Sequence, residues 1–179
     1  MEKMIRIFVA FPMHDFGSDK FFQFKEENRA STGLKWTRHL NLHITLFFIG
    51  ETNMSNLEVV MNTFADYKKS FSPFALEFES YIVKGKITNP TLLWAEFSKS
   101  DSFTANAKQL ETLFSPYMSA ETKHKDPLPH CTLARIKVKN EIVNLNLTTE
   151  IFPKIIQLDH PELWQTTRDE EGLLYKRLS

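Results

Sequence analysis

Two tetrapeptides of one pattern, HITL at His43–Leu46 and HCTL at His130–Leu133, open two β-prone apolar stretches 87 residues apart. With six His, 15 Thr and 19 Leu in 179 residues, composition alone predicts about 0.05 copies of His-x-Thr-Leu. Two copies by accident therefore have a probability on the order of 0.001. Side chains at i and i+2 share one face of a strand, so His43 lies beside Thr45 and His130 beside Thr132. The alternate positions Leu42, Ile44, Leu46 and Phe48 are apolar and are expected on the buried side. Each copy thus specifies a half-buried strand with an imidazole and a hydroxyl on its free face. If the two strands belong to two related lobes, the four groups can converge on one cleft.

The rest of the chain supplies partners for those strands. Ile5–Phe11 (IRIFVAF) is rich in β-branched and aromatic residues and ends at Pro12, the pattern of a buried strand. Asp19 to about Arg29 is expected to be a helix, capped by Ser18, with Phe21, Phe22 and Phe24 on its apolar side. His43–Ile49 is a strand closed by Gly50. Asn53 or Ser55 caps a helix to about Lys69, with Leu57, Val60, Met61 and Phe64 at helical spacing. Strands follow at Phe74–Val83 and Leu92–Phe97, then a helix over Asp101–Phe114 with Phe103, Ala107, Leu110 and Phe114 on one stripe. His130–Val138 is the next strand, residues 140–150 match no template, and Lys154–Thr167 with Leu173–Leu178 reads as a hairpin around Asp169–Gly172. Runs of adjacent strands with few helices indicate an α+β fold.

Composition narrows the functional classes. Lys and Arg number 22 against 22 Asp and Glu, a balance that argues against non-specific coating of nucleic acid. A single cysteine, Cys131, excludes an internal disulfide framework and a multi-cysteine metal site. The longest apolar run, around Ile44–Ile49, has strand length and falls short of a membrane span. The N-terminal residues lack the long apolar stretch of a signal peptide, so a cytoplasmic protein is expected.

If the two strands face one cleft, their polar residues suit in-line chemistry at phosphorus. A neutral imidazole takes a proton from the attacking water, and a protonated one gives a proton to the leaving oxygen. Threonine hydroxyls donate to the non-bridging oxygens, where charge accumulates. Two histidines also suit zinc, but neither copy has a third ligand at the usual spacing nearby, so no metal or other cofactor is expected.

These residues resemble the two-histidine (2H) phosphoesterase superfamily, specifically its RNA 2′,3′-cyclic phosphodiesterases, the LigT-like family once called 2′-5′ RNA ligases. IRIFVAFP resembles the family's opening strand, LKWTRHLNLHITLFFIGE its first motif region, LLWAEF a mid-chain strand and PLPHCTLARIK its second motif. The resemblance implies a single domain over residues 1–179. That domain has two pseudo-symmetric lobes of antiparallel sheet backed by helices, with the active-site cleft between them. It also implies metal-independent opening of a 2′,3′-cyclic phosphate to a 2′-phosphate. The partner is then an RNA 3′ end or nucleotide bearing that group, met by a monomer without a membrane. Alternatives are a phosphodiesterase or ligase acting on 2′-5′ linkages, an enzyme for small cyclic-phosphate metabolites, or an RNA-end-binding module without turnover.

By the same resemblance His43 is the general acid and His130 the base, and Thr45, Thr132 and Arg135 bind phosphate. Strict alternation would put Arg135 on the face opposite His130 and Thr132, so a bulge or an exit from the sheet is required to bring it round. Trp36, Lys123 and Lys125, with His124 between the lysines, are candidate RNA contacts. Trp94, Phe47 and the helix phenylalanines read as core, and Cys131 as a small apolar filler. His14, His39 and His160 match no motif. Thr37–Leu40 departs from the proline-containing stretch of relatives, and Lys84–Pro90 reads as a surface loop.

Overall fold

The computed structural model describes residues 3–118, 127–137 and 143–179. Nine strands and three α-helices follow one another as β1 (Met4–Pro12), α1 (Ser18–Glu27), β2 (Leu34–Trp36), β3 (His43–Asn53), α2 (Leu57–Ser70), β4 (Phe74–Lys86), β5 (Asn89–Phe97), α3 (Asp101–Phe114), β6 (His130–Ile136), β7 (Ile155–Leu158), β8 (Glu162–Asp169) and β9 (Gly172–Arg177). All strand pairs among the described residues are antiparallel. This is the α+β class expected from the chain's strand runs.

The strand order is β7-β4-β5-β6-β3-β1-β8-β9. In the middle, β6 meets β3 through one residue pair, Ile44 with Cys131. Two halves, β7-β4-β5-β6 and β3-β1-β8-β9, therefore meet at a narrow waist, and the pairing residues are the variable positions of the two His-x-Thr-Leu motifs. Beyond the waist the strands part, and β2 pairs with the edge of β6 that β3 has left, with Trp36 opposite Ala134 and Leu34 opposite Ile136.

Each motif strand carries a bulge at the same place. In β3, Val9 pairs with Phe47 and Ala10 with Thr45, which leaves Leu46 as the extra residue. In β6, Leu93 pairs with Ala134 and Trp94 with Thr132, which leaves Leu133 extra. Consecutive residues Leu46–Phe47 and Leu133–Ala134 are consequently both buried. The extra residue reverses the alternation. Phe48 and Arg135 thereby come to the face that carries the histidines, which delivers Arg135 to the cleft. Phe48 is 42% exposed there, not on the buried side that plain alternation predicts.

Helices close the other face of the sheets. In α3, Phe103, Ala107, Leu110 and Phe114 form the buried stripe, and Ser100 Oγ caps the helix by accepting from the Phe103 amide at 3.3 Å. In α2 the buried residues are Val60, Phe64 and Tyr67, and in α1 they are Phe21 and Phe24. Phe22 is 48% exposed, because one residue turns the chain about 100° round the helix axis. Ser18 is the first residue of α1, and Gly17 holds the cap position with φ 150. A Cβ at Gly17 would collide with the carbonyl oxygen of Ile151, so only glycine fits. Asn53 caps a short 3-10 turn, accepting from the Ser55 amide at 3.1 Å, and α2 begins after it.

Three further expectations are corrected. β3 continues through Gly50 to Asn53. The first arm of the C-terminal hairpin is two strands, because the chain turns at Pro161 between β7, which joins β4, and β8, which joins β1; β8 and β9 alone make the hairpin. Residues Lys84–Pro90 belong to the β4–β5 hairpin, where Lys84 pairs with Leu92 and Gly85 with Pro90. β2 is a strand the hydrophobic pattern did not announce. Among the described residues, no helix is long and apolar enough to cross a membrane.

Phe103 is fully buried and meets Phe74 edge-on at 6.3 Å. Phe103→Ala should lower unfolding free energy by about 3–5 kcal/mol, read from urea denaturation. A loss below about 1 kcal/mol would mean that α3 does not pack as described.

Candidate active site

One cleft collects residues from both sheets. Its walls include His43, Thr45 and Phe48 from β3, His130, Thr132 and Arg135 from β6, Lys35, Trp36, Thr37, Arg38 and Asn41 from the β2–β3 segment, and Glu171, Leu173 and Tyr175 from the C-terminal hairpin. The sequence candidates His43, His130, Thr45, Thr132, Arg135 and Trp36 are thus brought together. Lys123, His124 and Lys125 lie outside the described residues.

Both imidazoles are held by the same device. His43 Nδ1 lies 2.7 Å from the carbonyl oxygen of Asn41, and His130 Nδ1 lies 2.7 Å from that of Leu128, each two residues back along the chain. A carbonyl only accepts, so each Nδ1 carries a hydrogen and donates it. In the neutral rings Nε2 is therefore the unprotonated nitrogen, the one free to exchange a proton in the cleft. Asn41 is itself pinned. Its side chain is buried, donates to the carbonyl of Leu173 at 2.9 Å and accepts from the amide of Tyr175 at 3.1 Å. Thr37 performs a similar service for the second motif, its hydroxyl donating to the Thr132 carbonyl at 2.7 Å and its amide to the Leu133 carbonyl at 2.8 Å.

The surroundings of the two rings differ. His43 sits among Phe8, Trp164 and Tyr175, with ring centroids 5.2, 5.3 and 5.0 Å away. Burial in this aromatic cage pushes its pKa down to about 4; the bond to Asn41 opposes the shift and the neighbouring His130 adds to it. His130 lies flat on Trp94, centroids 3.6 Å apart and planes 16° from parallel. Its pKa is also lowered, first by burial and then by Lys84, while the bond to Leu128 and the charge of Glu96 oppose this. Trp94 is accordingly a wall for a histidine as well as a packing residue, a correction to its reading as core.

Charge in the cleft is unevenly tied up. Arg38 is paired to Asp169 at 2.6 Å and to Glu171 at 3.1 Å. Among the described residues, Lys35 and Arg135 have no carboxylate partner, so they are the cations ready for an anion. Trp36 faces the cleft while its ring packs edge-on against Phe21 and Phe24, at 6.2 and 5.9 Å. Cys131 is fully buried and its thiol is pushed up to about 12 by burial, which suits a filler and not a nucleophile. The described residues contain no group of three or more His, Cys, Asp or Glu placed to hold a metal ion.

Sequence reasoning missed Lys35, Asn41, Thr37, Phe48, Phe8, Trp164 and Tyr175. Asn41 and Thr37 act through hydrogen bonds that only the folded chain makes. Trp164 and Tyr175 reach His43 across 121 and 132 residues of sequence, from strands that lack any motif. The bulge that exposes Phe48 is the same one that exposes Arg135 in the second copy, so the requirement argued for one could have located the other.

Comparison with known proteins bears on this geometry. The profile of the 2′-5′ RNA ligase superfamily matches residues 18–170. A protein of Archaeoglobus fulgidus named RNA 2′,3′-cyclic phosphodiesterase is 26% identical over 177 residues, 97% of this chain and 98% of that one. One of the same name from Aquifex aeolicus is 28% identical over 137 residues, 75% of this chain and 72% of its own. Among solved structures, TT0787 of Thermus thermophilus superposes with a TM-score of 0.75 at 19% identity, covering 97% of this chain and 95% of that chain. E. coli LigT complexed with 3′-AMP gives 0.70 at 14% identity, over 99% and 97%. At these identities the structures establish the shared fold.

The depressed His43 pKa has a consequence for stability. In the unfolded chain the ring takes its proton near pH 6.5, and in the folded chain only near about 4. As pH falls through that window the unfolded state binds the proton first, so folding stability is lost. Urea midpoints measured from about pH 7 to about 4.5 should therefore fall less for His43→Gln than for the parent chain. Equal losses would show that His43 is not held neutral by its cage.

Proposed function

We propose that this chain, which belongs to the 2′-5′ RNA ligase superfamily, opens 2′,3′-cyclic phosphates on RNA ends or nucleotides to 2′-phosphates with His43 and His130 as an acid–base pair. The observation that carries the reading is the pair of imidazoles, each with Nδ1 fixed on the carbonyl two residues before it, lining one cleft with two threonines and an unpaired arginine. Four relatives named RNA 2′,3′-cyclic phosphodiesterase support the substrate class.

The cyclic phosphate sits between the two motifs. Arg135 neutralises its non-bridging oxygens and the hydroxyls of Thr45 and Thr132 donate to them, with more effect as charge builds there. Water attacks phosphorus and one imidazole takes its proton. The bond from phosphorus to the 3′ oxygen breaks, and the other imidazole protonates that oxygen. The product carries a 2′-phosphate and a 3′-hydroxyl, and the two rings have exchanged protonation states. Following the family resemblance, His130 is the base and His43 the acid. None of these steps uses a metal ion.

A short RNA ending in a 2′,3′-cyclic phosphate, incubated in EDTA, should yield the 2′-phosphate. His43→Ala and His130→Ala should each lower turnover by at least about 100-fold. Bound RNA without turnover would support the binding-module reading instead. Loss of activity to EDTA with recovery on added zinc would overturn the metal-free mechanism.

The pH dependence follows from the two lowered pKa values. The competent pair holds one proton, and its population peaks between the two apparent values of the coupled rings. Both imidazoles are held below 6.5 by their surroundings in the protein, so kcat/KM should peak below that pH. A bound phosphate anion favours imidazolium, so kcat should peak at higher pH than kcat/KM. Coincident maxima at or above about pH 7.5 would contradict this account.

A further inference from the structure

His130 and His43 occupy equivalent motif positions, but what stands behind them is not equivalent. Trp94 belongs to β5 and pairs with Thr132; the residue that pairs with Thr45 in the first sheet is Ala10. His43 is backed instead by Trp164 of β8, whose Nε1 donates to Glu162 at 2.7 Å, and Glu162 is paired to Arg177 at 3.0 Å. The second sheet reaches a similar composition by another route. Lys84 of β4 lies 4.7 Å from the Trp94 ring centroid and pairs with Glu96 at 3.2 Å. Each histidine thus rests on a tryptophan that has a glutamate and a cation behind it, built from positions that the pseudo-symmetry does not relate.

Three details separate the Trp94 assembly from ordinary packing. Trp94 Nε1 is buried without a hydrogen-bond partner among the described residues. A phenylalanine or leucine would fill much of that volume without stranding a donor, so the useful part of the residue is its indole face. β5 lies between β4 and β6 in the sheet, so Lys84 and His130 approach the indole from opposite flanking strands. Glu96, in turn, is the register partner of His130.

We propose that Trp94 is a positioning residue for His130, and that the Lys84–Glu96 pair behind it sets the pH range in which His130 exchanges its proton. The assignment rests on the acid–base reading of the cleft and deepens it. The ring face attracts a cation, so imidazolium at His130 and ammonium at Lys84 compete for one indole. Lys84 disfavours the proton on His130 and Glu96 favours it. The other titratable and charged groups of the cleft that holds His130 are His43, Lys35, Arg38, Arg135, Glu171 and Tyr175, and the substitutions below leave all of them in place.

The test uses the full chain. The protonation midpoint of His130 is followed by NMR in the free protein, beside the pH profile of cyclic-phosphate hydrolysis. Lys84→Met removes a cation and leaves Glu96 unneutralised; both changes favour imidazolium, so the midpoint should rise by about half a pH unit or more. Glu96→Gln should lower it by a similar amount. The limb of the pH–rate profile that belongs to His130 should move in the same two directions. Trp94→Leu should reduce kcat about 10-fold while KM changes less than about threefold, and Trp94→Phe should recover most of the loss.

Midpoints that stay within about 0.1 of the parent value in both charge variants, or that move in the same direction, would overturn the proposal. If Trp94→Leu does not fold, the two charge variants decide it alone. His130→Ala keeps the two readings apart. Full turnover in that variant would sink the acid–base reading, whereas a dead His130→Ala with unmoved midpoints would sink this inference and leave that reading standing.

Discussion

The single pair of Ile44 with Cys131 is the constraint from which the cleft follows. The paired residues hold the same place in the two motifs, so an antiparallel alignment through them relates the strands by a local twofold. His43 then lies level with Thr132, and Thr45 with His130, all on one face. A slip of one residue would turn every one of these side chains into the core. Ile44 and Cys131 are fully buried, which makes such a slip costly. With one pair holding the waist, the two sheets diverge beyond it, and the space between them is the cleft. β2 can then pair with the edge of β6 and bring Lys35, Trp36 and Thr37 to the rim.

Within that symmetric frame the chemistry is unequal. The bulges at Leu46 and Leu133 expose one further residue in each sheet, and the two residues are Phe48 and Arg135. One end of the cleft offers a guanidinium to an anion, and the other offers a ring to an apolar or aromatic group. The same inequality extends to the histidines. His43 is enclosed by three aromatic rings, whereas His130 lies against one indole that a lysine also approaches. A reaction that needs one proton donor and one acceptor requires two unlike sites. The duplicated strands supply position, and the neighbours outside the duplication supply the difference.

What could be read in the sequence was whatever a local period or a repeat encodes. The α3 stripe of Phe103, Ala107, Leu110 and Phe114 was legible because burial at helical spacing leaves few alternatives. The His-x-Thr pairs were legible because a period of two has only two faces. Arg135 required one step more, since its place conflicted with regular alternation and a bulge or an exit from the sheet was needed to resolve the conflict; the structure has the bulge. Asn41 gave no comparable signal. It is one of ten asparagines in the chain, and its function arises from hydrogen bonds to Leu173 and Tyr175, over 130 residues away. The cage of Phe8, Trp164 and Tyr175 was illegible for the same reason, because aromatic residues in strands ordinarily mean core. Trp94 was misread on that rule. It is only partly buried and stands outside the core, and the group it covers is a histidine.

The burial of the two imidazoles bears on how a phosphate would be met there. Two imidazolium ions across one waist would repel each other in a poorly screened space, and burial adds to the cost of charging either ring. Burial thus disfavours charge on either imidazole, beside the fixed charges of Lys35 and Arg135. An arriving phosphodiester brings a negative charge that offsets both penalties for one ring but not for two. The second proton would restore the repulsion without a second anion to relieve it. On the proposed acid–base reading, substrate binding and uptake of a single proton are in this way one event.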